Sequence, residues 1–181
     1  IQLKLGRIWC RVIQLATTDS FWEVKTSNVV ATVRGTAFGM EHSEKKSFVF
    51  VDDGKIEAEA LDPAVNKAIK GTKTILVKNK TIEVAKEKIE ELKIKPAELV
   101  VKEISQEILT EKWVARNKEA DVRFNEKIQK LEEKGFEKQK IREELKKEII
   151  GEIKNEKKDK EVILKKQEQE LKPFNLEEKN Q

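Results

Sequence analysis

The sequence predicts a mainly β fold joined to α. It reads as an antiparallel β-sandwich or jelly-roll-like domain over residues 1–85, followed by a charged, amphipathic helical region over 86–181. Three observations carry this. Apolar residues alternate in twos before Lys95-Pro96 and recur at spacings of three and four after it. Charge changes at the same place: residues 1–95 hold 17 basic and 13 acidic groups, residues 96–181 hold 21 of each. Six aromatics, Trp9, Phe21, Trp22, Phe38, Phe48 and Phe50, all precede the boundary.

Taken in order, "RIWCRVIQL" sets Ile8, Cys10 and Val12 against Trp9, Arg11 and Ile13, with most positions β-favouring. "FWEVKT" puts Trp22 and Val24 on one face and Glu23 and Lys25 on the other. "NVVATVRGTAFGM" is a small, β-branched strand interrupted by Arg34-Gly35. "SFVFVDDGKIEAEAL" reads as a hairpin turning at Asp52-Asp53-Gly54, where glycine supplies the positive φ that such a turn demands. Asp62 before Pro63 suits either a short capped helical turn or an exposed loop. "TKTILVKNKTIEVAK" reads as a second hairpin, turning at Lys78-Asn79-Lys80 with Ile75, Val77, Ile82 and Val84 available for one face. Short strands with tight turns and no long helix between them favour antiparallel pairing in a sandwich.

Beyond the boundary, Pro96 is placed to open a helix carrying Leu99, Val100, Ile104, Ile108, Leu109 and Trp113. A further helix from about Asn117 to Lys134 uses Val122, Phe124, Ile128 and Leu131 and stops at Gly135. The next runs from Glu137 with Ile141, Leu145, Ile149 and Ile153, strictly four apart, a spacing that drifts round the helix and disfavours a long coiled-coil seam. From Gly151 onward Lys and Glu dominate, so little surface is available for burial, and "LKPFNLEEKNQ" reads as a frayed end.

Composition narrows the function. The chain has 181 residues, 38% hydrophobic and 40% charged, so its core is small for its length. A net charge of only +4 argues against a nucleic-acid binder built on a basic stripe. One cysteine gives no intramolecular disulfide, and one cysteine with one histidine falls short of a tetrahedral zinc site. No apolar run approaches the roughly 18–20 residues of a membrane span, and no stretch of these residues reads as a signal peptide. The chain starts at Ile1, which reads as a fragment or a processed chain, with any anchor lying before it.

The candidate sites each have a plain reading. His42, in "MEHSEKKS", reads as a solvated loop histidine. Cys10, in a strand, reads as a small buried hydrophobe with no base in its own segment. Asp52, Asp53 and Asp62 lack the alternate acidic positions and closing Glu of an EF-hand loop and read as turn residues. "KAIKGTKT" lacks the spacing of a phosphate loop. Arg34 reads as a structural arginine, satisfied within the sheet by a carboxylate or carbonyls, with Gly35 permitting a bulge; an anion or peptide clamp is the competing role. The expectation is therefore a protein that is not an enzyme, with no catalytic, cofactor-binding or metal residue.

Three blocks carry a family resemblance: "GRIWCRV" at Gly6 to Val12, "WEVKTSNVVATVRGTAF" at Trp22 to Phe38, and "VFVDDGKIEAE" at Val49 to Glu59. Together they resemble the FecR domain over about residues 6–85. The middle block matches that pattern at Val24, Thr26, Val29, Val33, Arg34, Gly35, Thr36 and Phe38, while Ser27 stands where the family usually has proline. The resemblance implies a non-catalytic, extracytoplasmic β-domain of a bacterial cell envelope that recognises a protein partner. In the best-known members the domain follows a cytoplasmic anti-sigma segment and one membrane span, and relays the state of an outer-membrane iron–siderophore transporter to a sigma factor. A self-associating scaffold or spacer is the alternative, and the charged helices here depart from those regulators. Any membrane link would come through an anchor outside this chain.

Overall fold

The structure, a computed structural model, describes residues 1–13 and 21–170. Among the described residues ten strands form two antiparallel sheets and four helices follow or close them, so the mixed β-plus-α expectation holds. One sheet has the order β1-β4-β5-β9-β10: β1 Gly6–Arg11, β4 Ala37–His42, β5 Lys46–Asp53, β9 Lys80–Ala85 and β10 Val101–Glu103. The other has the order β2-β3-β6-β7: β2 Trp22–Lys25, β3 Val29–Val33, β6 Lys55–Asp62 and β7 Lys67–Ala68, with β8 Thr74–Val77 also paired to β6. Residues of the expected first strand beyond Ile13, and the final "LKPFNLEEKNQ", lie outside the described residues.

Neither turn read as a hairpin joins paired strands. β5 pairs with β4 and β9, whereas β6 pairs with β3, so Asp53-Gly54 is a corner that passes the chain from one sheet to the other. β8 and β9 divide in the same way at Lys78-Asn79, where Asn79 takes φ 64°. Alternation reports which face of a strand is buried, and a sandwich corner and a hairpin bury the same alternate positions. The face chosen within β8 also differs from expectation. Leu76 is buried, while Ile75 and Val77 are exposed.

Arg34-Gly35 is a third corner. It lies in the bend between β3 and β4, not inside a strand, and Arg34 is exposed. That corrects the reading of a sheet-embedded arginine. Gly35 takes φ 63° and Gly54 takes φ 83°, and the two corners abut: a Cβ on Gly54 would stand 2.9 Å from the Gly35 carbonyl oxygen. The Thr36 hydroxyl donates to the Lys55 carbonyl at 2.7 Å and ties the corners together. Gly54→Ala meets both the left-handed backbone and the Gly35 oxygen, so it is expected to lower stability by about 1–2 kcal/mol, read as a lower urea midpoint with an unchanged slope.

The main core lies between the sheets. Val24, Val29, Ala31, Val33, Phe38, Met40, Val49, Val51, Ile56, Ala58, Leu76, Ile82 and Val84 fill it, with Ile8, Cys10 and Val12 of the β1 region packed at its side. The segment after Ala85 completes it. Helix α1, Lys88–Ile94, inserts Ile89, and Leu99 is pinned by its N–H to the Thr74 hydroxyl at 2.7 Å. The helix expected from Pro96 is absent: residues 96–100 form neither helix nor strand, and β10 pairs with β9. Tertiary burial of Leu99 and the ladder of Val101–Glu103 override a helical spacing that Val100, exposed here, had completed only by coincidence.

Helix α2, Gln106–Leu109, then leads into α3, Lys112–Glu133, and α4, Lys138–Glu170. The expected stop at Gly135 holds, with φ 76° there. Ile141 and Leu145 of α4 are buried, whereas Ile149, on the same stripe, is exposed. Ion pairs on the surface join the helices to one another and within themselves, including Lys127 with Glu148 and Lys147 with Glu144. No helix among the described residues is long and apolar enough to cross a membrane.

Candidate functional site

His42 is buried at the end of β4, contrary to its reading as a solvated residue. Its Nδ1 lies 2.9 Å from the Ser47 hydroxyl and its Nε2 lies 3.2 Å from the Ser27 hydroxyl. The network fixes the tautomer. Asn28 Oδ1 can only accept, so Ser27 donates to it at 2.7 Å and must accept from His42 Nε2–H. Nδ1 then accepts from Ser47, whose oxygen accepts in turn from the Thr26 hydroxyl at 2.7 Å. Asn28 closes the chain by donating to the Val84 carbonyl at 3.2 Å. These groups belong to both sheets, so the relay is a polar tie across one end of the sandwich, and burial lowers the histidine pKa from its ordinary value.

Cys10 is half-buried on the core side of β1, and burial pushes its thiol up to about 11, so it stays protonated at neutral pH. The three aspartates separate. Asp62 accepts from the Ala64 N–H at 2.9 Å and pairs with Lys93, at the opposite end of β6 from Gly54. Asp52 and Asp53 come together with a residue that sequence inspection passed over, Asp121 of α3. Among the described residues no group of three or more His, Cys, Asp or Glu is placed to hold a metal ion.

That meeting point joins polar and aromatic groups on the outer face of the β1-β4-β5 sheet. The pairing register aligns Trp9, Gly39 and Phe50 across three neighbouring strands. Gly39 leaves a notch, since a Cβ there would lie 2.3 Å from the Phe50 ring and 3.1 Å from the Trp113 ring. The Phe50 ring lies in the notch and Trp113 of α3 packs over it edge-on, its ring 6.0 Å from that of Phe50 and 6.1 Å from that of Trp9. Phe48, Ile104, Ile108, Leu109 and Val114 complete a hydrophobic cluster that is separate from the main core.

Charged and polar bonds ring this cluster. Arg7 lies over the Trp113 ring at 5.5 Å and pairs with Glu41 at 3.1 Å and Glu111 at 2.8 Å. Arg11 pairs with Asp53 at 3.2 Å and donates to Asn125 at 3.1 Å, and Lys118 meets Asp52 at 2.7 Å. The Trp9 indole N–H donates to Asp121 at 3.0 Å. Burial raises the Asp121 pKa, Asp52 and Asp53 push the same way, and the Trp9 bond and Arg11 oppose them. A carboxyl whose pKa is raised on folding binds more protons folded than unfolded. The seam therefore gains stability as pH falls from neutral through that raised value. Asp121→Asn keeps an acceptor for Trp9 and removes the charge, so its urea midpoint near neutral pH is expected not to fall and its acid-side gain to vanish. A midpoint that dropped at neutral pH would show that the ionised carboxylate holds the helix down.

This surface binds by packing and charge; its groups are engaged with one another rather than poised around an open cleft. An open groove of about 560 Å³ lies between α3 and α4, lined by Lys127, Lys130, Leu131, Lys134, Leu145 and neighbouring Glu and Lys side chains. Sequence inspection missed the seam because its parts lie up to 114 residues apart in the chain. The available signal was Trp113, an aromatic too large for the charged helix around it.

No protein family model matches the chain, and no curated protein sequence matches it significantly. Among solved structures, two crystal structures of a "putative anti-sigma factor" from Parabacteroides distasonis are similar to it, each with TM-score 0.39 and 18% identity over 55% of this chain. The matched region is only 39% and 38% of those chains.

Proposed function

We propose that this chain is a non-catalytic recognition module of the bacterial cell envelope, in which a FecR-like sandwich engages a protein partner and a helical arm carries the consequence of that contact. One observation supports the reading above the others. The strands that bear the FecR-like blocks, with Trp9, Gly39, Phe50, Asp52 and Asp53, are those on which α3 is seated. A contact that shifts these strands acts directly on the arm. In this division residues 1–85 recognise, the region from 86 onward transmits, and residues 86–104 serve both. Relay to a sigma factor is one version of the role, with the membrane link supplied by an anchor outside these residues.

A second reading, a surface spacer, is favoured by α4, whose 33 residues span about 50 Å and whose buried side chains, among those described, are Ile141 and Leu145. Two measurements test the first reading. Fractionation of producing cells should place the protein outside the cytoplasm, and a cytoplasmic location would overturn it. Sigma-factor and transporter genes beside its own would support relay, and light scattering that showed concentration-dependent assembly would favour the spacer.

A further inference from the structure

We infer that α2, α3 and α4 release from the sheet as one arm while the sandwich stays folded, baring an aromatic surface formed by Trp9, Phe48 and Phe50. The inference goes beyond partner recognition and does not depend on it. Its first ground is the division of the hydrophobic interior. The arm's buried side chain on the sandwich side is Val114, and it belongs to the outer cluster; among the described residues the main core contains none of α2, α3 or α4. Losing the arm therefore removes no side chain from between the sheets.

The second ground is the kind of bond that holds the seam. Arg7 with Glu111, Lys118 with Asp52 and Arg11 with Asn125 are exposed or half-exposed contacts that water replaces readily. The apolar part of the seam, the cluster around Phe50 and Val114, is smaller than the main core, and a region with fewer buried apolar contacts opens at lower free energy than the core to which it is attached. The third ground is the notch at Gly39. The Phe50 ring lies across Gly39, 2.3 Å from where a Cβ would stand, and the Trp113 ring closes over the same spot at 3.1 Å, so departure of Trp113 leaves Phe50 in place on the sheet and uncovers it. Helix α4, packed on α3 through Ile141 and Leu145, travels with it.

Hydrogen exchange of the full chain, followed through a series of low urea concentrations, tests this. The Trp9 indole proton, held by Asp121, and the amides of α3 next to Trp113 are expected to exchange at least ten-fold faster than amides of β3 and β6, with a weaker urea dependence. Exchange of all these protons along one common unfolding curve would overturn the inference. A variant gives an independent check. Trp113→Ala lies outside the sandwich core, so it should shift tryptophan emission to the red and create binding of a hydrophobic dye while β3 and β6 amides keep their protection. Loss of that protection together with the arm would equally overturn it, as would a variant with neither dye binding nor faster exchange in α3.

Discussion

Phe50→Ala is expected to cost about 3–5 kcal/mol, the range for removing a buried phenyl ring. Phe50 is almost fully buried on the outer side of β5, and its ring touches those of Trp9, Phe48 and Trp113. Truncation empties the seat rather than the main core, so two losses combine: cavity formation in the sheet face and the loss of edge-to-face aromatic contacts of about 0.5–1.5 kcal/mol each. Against a total stability of about 5–15 kcal/mol for a domain, the change should be plain in a urea titration. Its signature distinguishes the two hydrophobic clusters. Tryptophan emission should respond at lower urea than the far-ultraviolet β signal, whereas a single coincident transition would mean that Phe50 supports the whole fold.

Acid should weaken the protein through His42, and His42→Leu should remove that dependence at its own cost. The sign follows from the relay. Its neutral Nε2–H tautomer satisfies each partner, burial lowers the folded pKa, and the unfolded chain therefore binds the proton first. Stability is complete above the unfolded pKa of about 6.5 and declines as pH falls from there toward the folded value, by up to about 1.4 kcal/mol per pH unit. In the leucine variant the Ser47 hydroxyl, fully buried, loses its acceptor, a loss of about 1–3 kcal/mol at neutral pH. Urea midpoints measured between about pH 5 and 7 separate the terms, best in an Asp121→Asn background that removes the opposing trend at the seam. An equal slope in both proteins would place the titration elsewhere.

The sequence made the class of fold legible because alternation survives any choice of pairing partner. Val24, Phe38, Val49, Val51 and Ile82 are buried where their spacing placed them. What alternation could not distinguish was a hairpin from a corner, and both supposed hairpins proved to be corners. The strap from Pro96 to Ile104 was misread for a related reason: three apolar residues at helical spacing, Leu99, Val100 and Ile104, also suit a non-helical segment that touches the main core at Leu99 and the outer cluster at Ile104 and leaves Val100 outside. His42 was misjudged because its polar neighbours in sequence, Glu41 and Glu44, are not its partners in space, which are Ser27 and Ser47. The docking seam was invisible for want of any local pattern. Arg7, Trp9 and Arg11 occupy the outward positions of one strand, and only the fold brings Glu111, Asp121 and Asn125 to meet them.

The way α3 is braced has a mechanical consequence. The helix meets the sandwich at Trp113, Lys118, Asp121 and Asn125, so about 18 Å of its axis is tied to β1 and β5. About 12 Å more runs from Asn125 to Glu133. A tilt of about 10° would carry Glu133 through about 5 Å relative to Trp113 but only about 2 Å relative to Asn125, on geometry set by the helical rise. The molecule thus has the proportions of a beam clamped along most of its length, in which α3 turns with the sheet and not against it.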